Sequence, residues 1–334
     1  MQPIAVNYDQ CQALGKRLAK VSVRPDEFVV QPTNREEKRR EANLWFYLIA
    51  ICQSTRTLQG TLDGKWYRGW DYMLQAARRM TAHDPDYFSA QNMSLVTPDG
   101  VRSIFSDDFL PEHSTIDRVD ERVAQLHDCA QILLRSYEGD VCVLHQQAGG
   151  RLQGENGILK RFSVFIAYSD PVQKKSFLFL MFAAKSGVWE LTDLDSLKVA
   201  IDYHIMRIAL RSGMVQVLDP ELAETLRTRR EVNAETDNQI RETIREACDL
   251  LIEHSGHTVF DVDNILWMMG RNCCFYDHAP ICGDNPCTKM DKCSFVRGIE
   301  YACPGHCLFD GVCFGSYAPA YQAYWETTLY TEYY

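Results

Sequence analysis

No apolar run in this 334-residue chain reaches the roughly 18 residues that a membrane span requires, so no membrane partner is expected. The N-terminus, MQPIAVNYDQCQALGKRL, lacks the basic segment, apolar stretch and small-residue cleavage site of a secretion signal. The expectation is an intracellular protein, cytoplasmic or nucleoid-associated. An excess of positive charge is also missing: 35 Lys and Arg stand against 45 Asp and Glu, a formal net charge of −10. A surface that coats nucleic acid indiscriminately needs a broad basic field, so any such contact must be local. The runs Lys38-Arg39-Arg40 and Arg227-Thr228-Arg229-Arg230 are the candidates, although such runs are commonly solvated helix faces. Repeats and low-complexity stretches on the scale of a solenoid or linker are absent.

What is present is an ordinary globular composition, 46% apolar and 24% charged, long enough to bury a substantial core. Residues 34–54 start with a capping-type Asn34 and acids, then become continuously apolar, as a buried helix entered from a solvated turn does. Asp63-Gly64 between short β-prone runs predicts a hairpin. Helical spacing follows over 71–80, 116–137, 172–186, 203–212, 220–226, 233–254 and 260–271. The fold class is mainly α.

The thirteen cysteines are uneven: five are scattered, and eight fall between Cys273 and Cys313. Without a secretion signal, a metal site is a better reading of that crowding than a disulfide framework. Cys274, Cys282, Cys287 and Cys293 follow one another with gaps of seven, four and five residues. Soft thiolates in a compact loop suit a 4Fe-4S cluster or, alternatively, zinc, and Gly283 and Pro286 permit sharp turns. Cys303, Cys307 and Cys313 are one thiolate short of a second site, which Cys273, His278 or His306 would complete.

The most informative segment is IDYHIMRIALRSGMV. Asp202 follows Val199-Ala200-Ile201 and opens an amphipathic helix, where an Asp serves as an N-cap. The pattern of apolar residue, Asp, any residue, His, then an apolar-Arg-apolar helix ending in Gly-apolar resembles the signature of the helix-hairpin-helix (endonuclease III-like, iron–sulfur) base-excision glycosylases. That resemblance implies a two-lobed helical fold and a catalytic carboxylate at Asp202, which stabilises positive charge on the sugar or activates the nucleophile. A fixed anion in a low-dielectric pocket favours an oxocarbenium-like state over the neutral ground state. In bifunctional members a Lys after the hairpin forms a Schiff base, and Lys175, beside Lys174, is the positional match. The Gly-rich hairpin itself is replaced by Ser169-Asp170-Pro171-Val172-Gln173, which removes the glycines that let backbone amides approach a phosphate. The same resemblance puts Gln53, at the end of LWFYLIAICQSTRT, beside a flipped nucleotide. It also makes VDNILWMMGRNCC the helix that leads into the cluster loop, with the last gap matching and the first two longer.

The chain further resembles the queuosine salvage proteins, from about residue 43 to its end: NLWF, DGKWYRGWDYMLQAARRM, ILLRSYEG, LTDLDSLKVAIDYHIMRIALRSGMV and the terminal Tyr333-Tyr334. That family releases queuine from queuosine monophosphate, and its fold is related to the helix-hairpin-helix glycosylases. Trp66, Tyr67 and Trp70 are candidates to stack on a base, and His204, Gln53 and Lys174 are further substrate contacts.

The expected organisation is an N-terminal helical segment over 1–42 packing on the second lobe, a first helical lobe over 43–157, a hairpin-like catalytic lobe over 158–272, and a cysteine-rich cluster region with its tail over 273–334. The expected activity is N-glycosidic cleavage of a modified base, with nucleic acid, DNA first, as partner. A hydrolase that frees queuine or a similar base from a nucleoside monophosphate is the alternative. A non-enzymatic, zinc-stabilised interaction protein is the second.

Overall fold

The computed structural model describes residues 2–25, 31–277, 279–287 and 293–334, so His278 lies outside the described residues. The chain is mainly helical with small two-stranded antiparallel sheets. No described helix is long and apolar enough to cross a membrane. Two compact units divide it: one combines Met1–Phe28 with Lys198–Tyr330, and the other combines Val29–Leu197 with Thr331–Tyr334.

The Val29–Leu197 unit is built around the helix Arg35–Ala50. The Asn34 side chain caps it by accepting from the Glu37 amide at 3.0 Å, and every residue from Asn43 to Ala50 is buried. Helices Val119–Ser136, Val141–Gln147 and Lys174–Lys185 pack on it, which is how a helix apolar on all sides is satisfied. An aromatic core fills the interior: Phe46 stacks on Tyr168 with centroids 5.0 Å apart, and Trp45 stacks on Phe182 at 4.3 Å. The hairpin pairs Gln59–Leu62 with Lys65–Arg68, Leu62 opposite Lys65. Asp63 and Gly64 both have positive φ, the conformation that a tight two-residue hairpin turn needs.

The other unit pairs the strand Ile4–Val6 antiparallel with Val215–Val217. The helix Tyr8–Leu18 packs on Ala234–Ser255, and Tyr203–Ser212 packs on Val259–Asn272. A Cβ at Gly270 would lie 2.6 Å from the Cβ of His204, so this crossing depends on glycine. Ser22–Val23 pairs with Ile299–Glu300.

Residues 43–157 and 158–197 share one unit because Lys174–Lys185 packs on Arg35–Ala50. Of the N-terminal segment, the first strands and helix join the unit that holds residue 202, and the 42/43 boundary falls inside a helix.

Candidate active site

Asp202 is the N-cap of the helix Tyr203–Ser212 and is 7% exposed. One carboxylate oxygen accepts from the backbone amides of His204 at 2.8 Å and Ile205 at 3.0 Å. The preceding segment is held from outside. The Ala200 amide donates to Asp263 at 2.8 Å, and Arg241, fully buried, donates to the Ile201 carbonyl at 3.4 Å. Its neighbour Asp237 accepts from the Thr327 hydroxyl at 2.5 Å. The carboxylate therefore has a fixed backbone on both sides, and the positive end of a helix faces it.

Behind the cap, two arginines one turn apart on the same helix reach into the C-terminal region. Arg207 is fully buried. It donates to Glu326 at 2.8 Å, to the carbonyls of Cys274 at 2.7 Å and Gly270 at 3.0 Å, and meets His204 Nδ1 at 3.1 Å. Burial opposes the Arg207 charge, but Glu326 and neighbouring negative groups outweigh it and the pKa is raised. Arg211 donates to the Tyr324 carbonyl at 2.7 Å, the Phe275 carbonyl at 3.1 Å and the Cys274 sulfur at 3.4 Å. Its guanidinium lies over Trp325, 4.2 Å from the ring centroid. None of Arg207, Arg211 or Glu326 was a candidate from sequence. The available signal was a pair of arginines four residues apart on a helix that is otherwise apolar.

In the other unit Lys175 is fully buried and donates to the Ala50 carbonyl at 2.5 Å and to Gln53 at 2.9 Å. Burial pulls its pKa down to about 7. Gln53, also fully buried, donates onward to Gln125 at 2.8 Å and Glu121 at 3.1 Å. Gln125 donates to Glu332 at 3.2 Å. Lys174 is buried too and lies 3.4 Å from the Cys52 sulfur. These lysines are interior groups in a polar network that joins the end of one buried helix to the start of another, and neither is a solvated helix face.

The three aromatic candidates differ in setting. Trp66 is exposed on the hairpin, and Tyr67, the next strand residue, points to the opposite face. Trp70 opens the following helix and packs towards Trp45 and Phe182 at 6.4 and 5.8 Å between centroids. The basic runs are engaged internally as well. Arg39 and Arg40 both bind Asp86, at 2.6 and 2.8 Å, while Arg227 lies over Tyr324 and Arg229 over Trp325.

The cysteine region brings together thiols from both expected sets. The Ile281 amide donates to the Cys273 carbonyl at 2.7 Å, and the Cys307 amide to the Ile281 carbonyl at 2.9 Å. These bonds align three segments around a cavity of about 30 Å³ whose wall includes Cys273, Cys274, Cys282, Cys307 and Cys313. Cys287, Cys293 and Cys303 are not on that wall. Cys293 caps the short helix Ser294–Gly298, and the Cys303 thiol donates to the His306 carbonyl at 3.7 Å.

No curated protein matches the chain. A family model does: the model of the queuosine salvage proteins matches residues 45–173, a span that lies wholly in the unit built on Arg35–Ala50 and includes Gln53, Trp66, Tyr67 and Trp70. Over those residues the chain is similar to the queuosine salvage proteins.

Proposed function

We propose that this chain is a hydrolase that frees queuine, or a base built like it, from a free nucleotide, with Asp202 as the catalytic carboxylate. The observation that carries this reading is the queuosine salvage match over residues 45–173. It moves the preferred substrate from DNA to the free nucleotide, in keeping with the net charge of −10 and with arginines that are spent on internal contacts.

In the reaction the C1′–N bond breaks and its electron pair leaves with the base. Water adds to C1′, and its proton is transferred to the departing base nitrogen. Positive charge on the sugar is greatest while the bond is breaking. A carboxylate held against reorientation, as Asp202 is by two amides, stabilises that charge without having to rearrange, and is also suited to accept the proton of the attacking water.

The test is to incubate the purified chain with queuosine 5′-monophosphate, with queuosine, and with DNA and tRNA carrying modified bases, and to read free base by mass spectrometry. Release from the monophosphate, lost in Asp202→Asn, is expected. Release from DNA alone, or an Asp202→Asn variant as fast as the parent, would overturn the reading.

A further inference from the structure

The imidazole two residues after Asp202 belongs to His204, which is 8% exposed. Its place in the chain makes it the obvious proton carrier for a site built on Asp202. Its contacts argue otherwise.

Nδ1 of His204 lies 3.1 Å from a terminal nitrogen of Arg207, three residues further along the same helix. Tyr203 lies beside the ring at 4.3 Å between centroids, and Trp267, on the helix packed against it, meets it edge to face at 6.2 Å. A guanidinium nitrogen has hydrogens to give and no lone pair with which to accept. The contact with Arg207 therefore runs one way: Nδ1 accepts.

An imidazole whose Nδ1 accepts from a cation carries its one hydrogen on Nε2 and is neutral. Protonating it would set an N–H against the guanidinium and bring two cations within 3.1 Å of each other, in a place removed from water. Neighbouring charges do not change the direction of that bond. Glu326 bonds to the other terminal nitrogen of Arg207 at 2.8 Å, and Arg271 lies over Trp267. The Asp202 carboxylate is engaged by the amides of His204 and Ile205.

We propose that His204 is a positioning residue for Asp202, held as the neutral imidazole with its hydrogen on Nε2, and that it acts as neither acid nor base. Its ring is anchored by Arg207, and its backbone amide in turn holds the Asp202 carboxylate at 2.8 Å. Whatever Nε2 meets, it meets as a donor, which suits an oxygen of a carboxylate, phosphate or carbonyl. Applied to base release, this rests on the proposed function: the proton of the attacking water passes by way of Asp202 to the departing nitrogen, and no imidazole carries it.

The experiment is to record imidazole nitrogen spectra of the isotope-labelled full chain from about pH 5.5 to 8.5, with the His204 ring assigned among the nine histidines through its own Cβ. An unprotonated Nδ1 and a protonated Nε2, unchanged over that range, are expected, where a free imidazole titrates at about 6.5. Titration of the ring, or a hydrogen on Nδ1, overturns the proposal. This measurement needs no variant and no substrate, so a parent chain that releases no base ends the proposed function and still decides the state of His204. With an active parent, His204→Asn, whose side-chain oxygen stands where Nδ1 was, is expected to keep base release within about tenfold, while His204→Leu loses more. A general acid or base contributes about a hundredfold or more. A loss of that size in the Asn variant, or a Leu variant as fast as the parent, overturns the proposal.

Discussion

Arg207 donates its Nε hydrogen to the carbonyl of Cys274 at 2.7 Å, which ties the helix begun by Asp202 to the start of the cysteine region. Its carboxylate partner, Glu326, is 9% exposed in its side chain, so this is an ion pair removed from water. Breaking such a pair from one side leaves a buried charge without compensation, which costs about 3–5 kcal/mol. Arg207→Met is therefore expected to destabilise the unit by that order. The double variant Arg207→Met, Glu326→Leu should be less unstable than the sum of the singles. Urea denaturation of all four proteins measures the coupling, and additive effects would show that the pair acts as two separate residues.

Asp202→Asn separates the two roles of the cap. Asn caps a helix about as well as Asp, so stability should change by less than about 0.5 kcal/mol. A residue that stabilises transition-state charge loses about a hundredfold or more in rate when neutralised. Thermal melting and base release, measured on the same preparation, give the two numbers. An unchanged rate would reduce Asp202 to a structural cap.

Lys175 imposes a pH dependence on stability. Its pKa falls from the ordinary 10.5 to about 7 in the folded chain because it is buried. Between those values the unfolded chain binds the proton and the folded chain does not, so stability rises with pH across that window and its contribution is least favourable below pH 7. The slope for one such group is about 1 kcal/mol per pH unit. Lys175→Met should flatten this rise. Denaturation midpoints at pH 6, 7.5 and 9 test it, and parallel curves for parent and variant would argue against the shift.

Gly270→Ala tests the crossing of the two helices behind Asp202. The added methyl would sit 2.6 Å from the His204 Cβ, and the helices must part to accept it. Overpacking of this kind costs about 1–3 kcal/mol. A melting temperature equal to the parent's would mean that the crossing has slack.

Local signals in the sequence were the most legible. Asp63-Gly64 announces a hairpin because both turn residues need positive φ. Asn34 and Asp202 each accept backbone amides at a helix start. Periodicity finds the helices Tyr203–Ser212, Ala234–Ser255 and Val259–Asn272 to within a residue or two, because each buries one face. Partners far apart in sequence were not legible. Lys175 meets Gln53, and Arg207 meets Glu326, through packing that no local pattern encodes. For the same reason the backbone bonds that tie Cys307 through Ile281 to Cys273 could not be read from the spacing of the cysteines.

The pairing of Ile4–Val6 with Val215–Val217 has a consequence for biosynthesis. During translation the first strand leaves the ribosome with no mate, and the helix Tyr8–Leu18 likewise waits for Ala234–Ser255. The whole of Val29–Leu197 emerges in between and can collapse on its own core as it appears. The unit holding Asp202 matures late, after the nascent chain has kept the apolar face of Ile4–Leu18 from aggregating, so removing the strand Ile4–Val6 should lower the yield of folded protein.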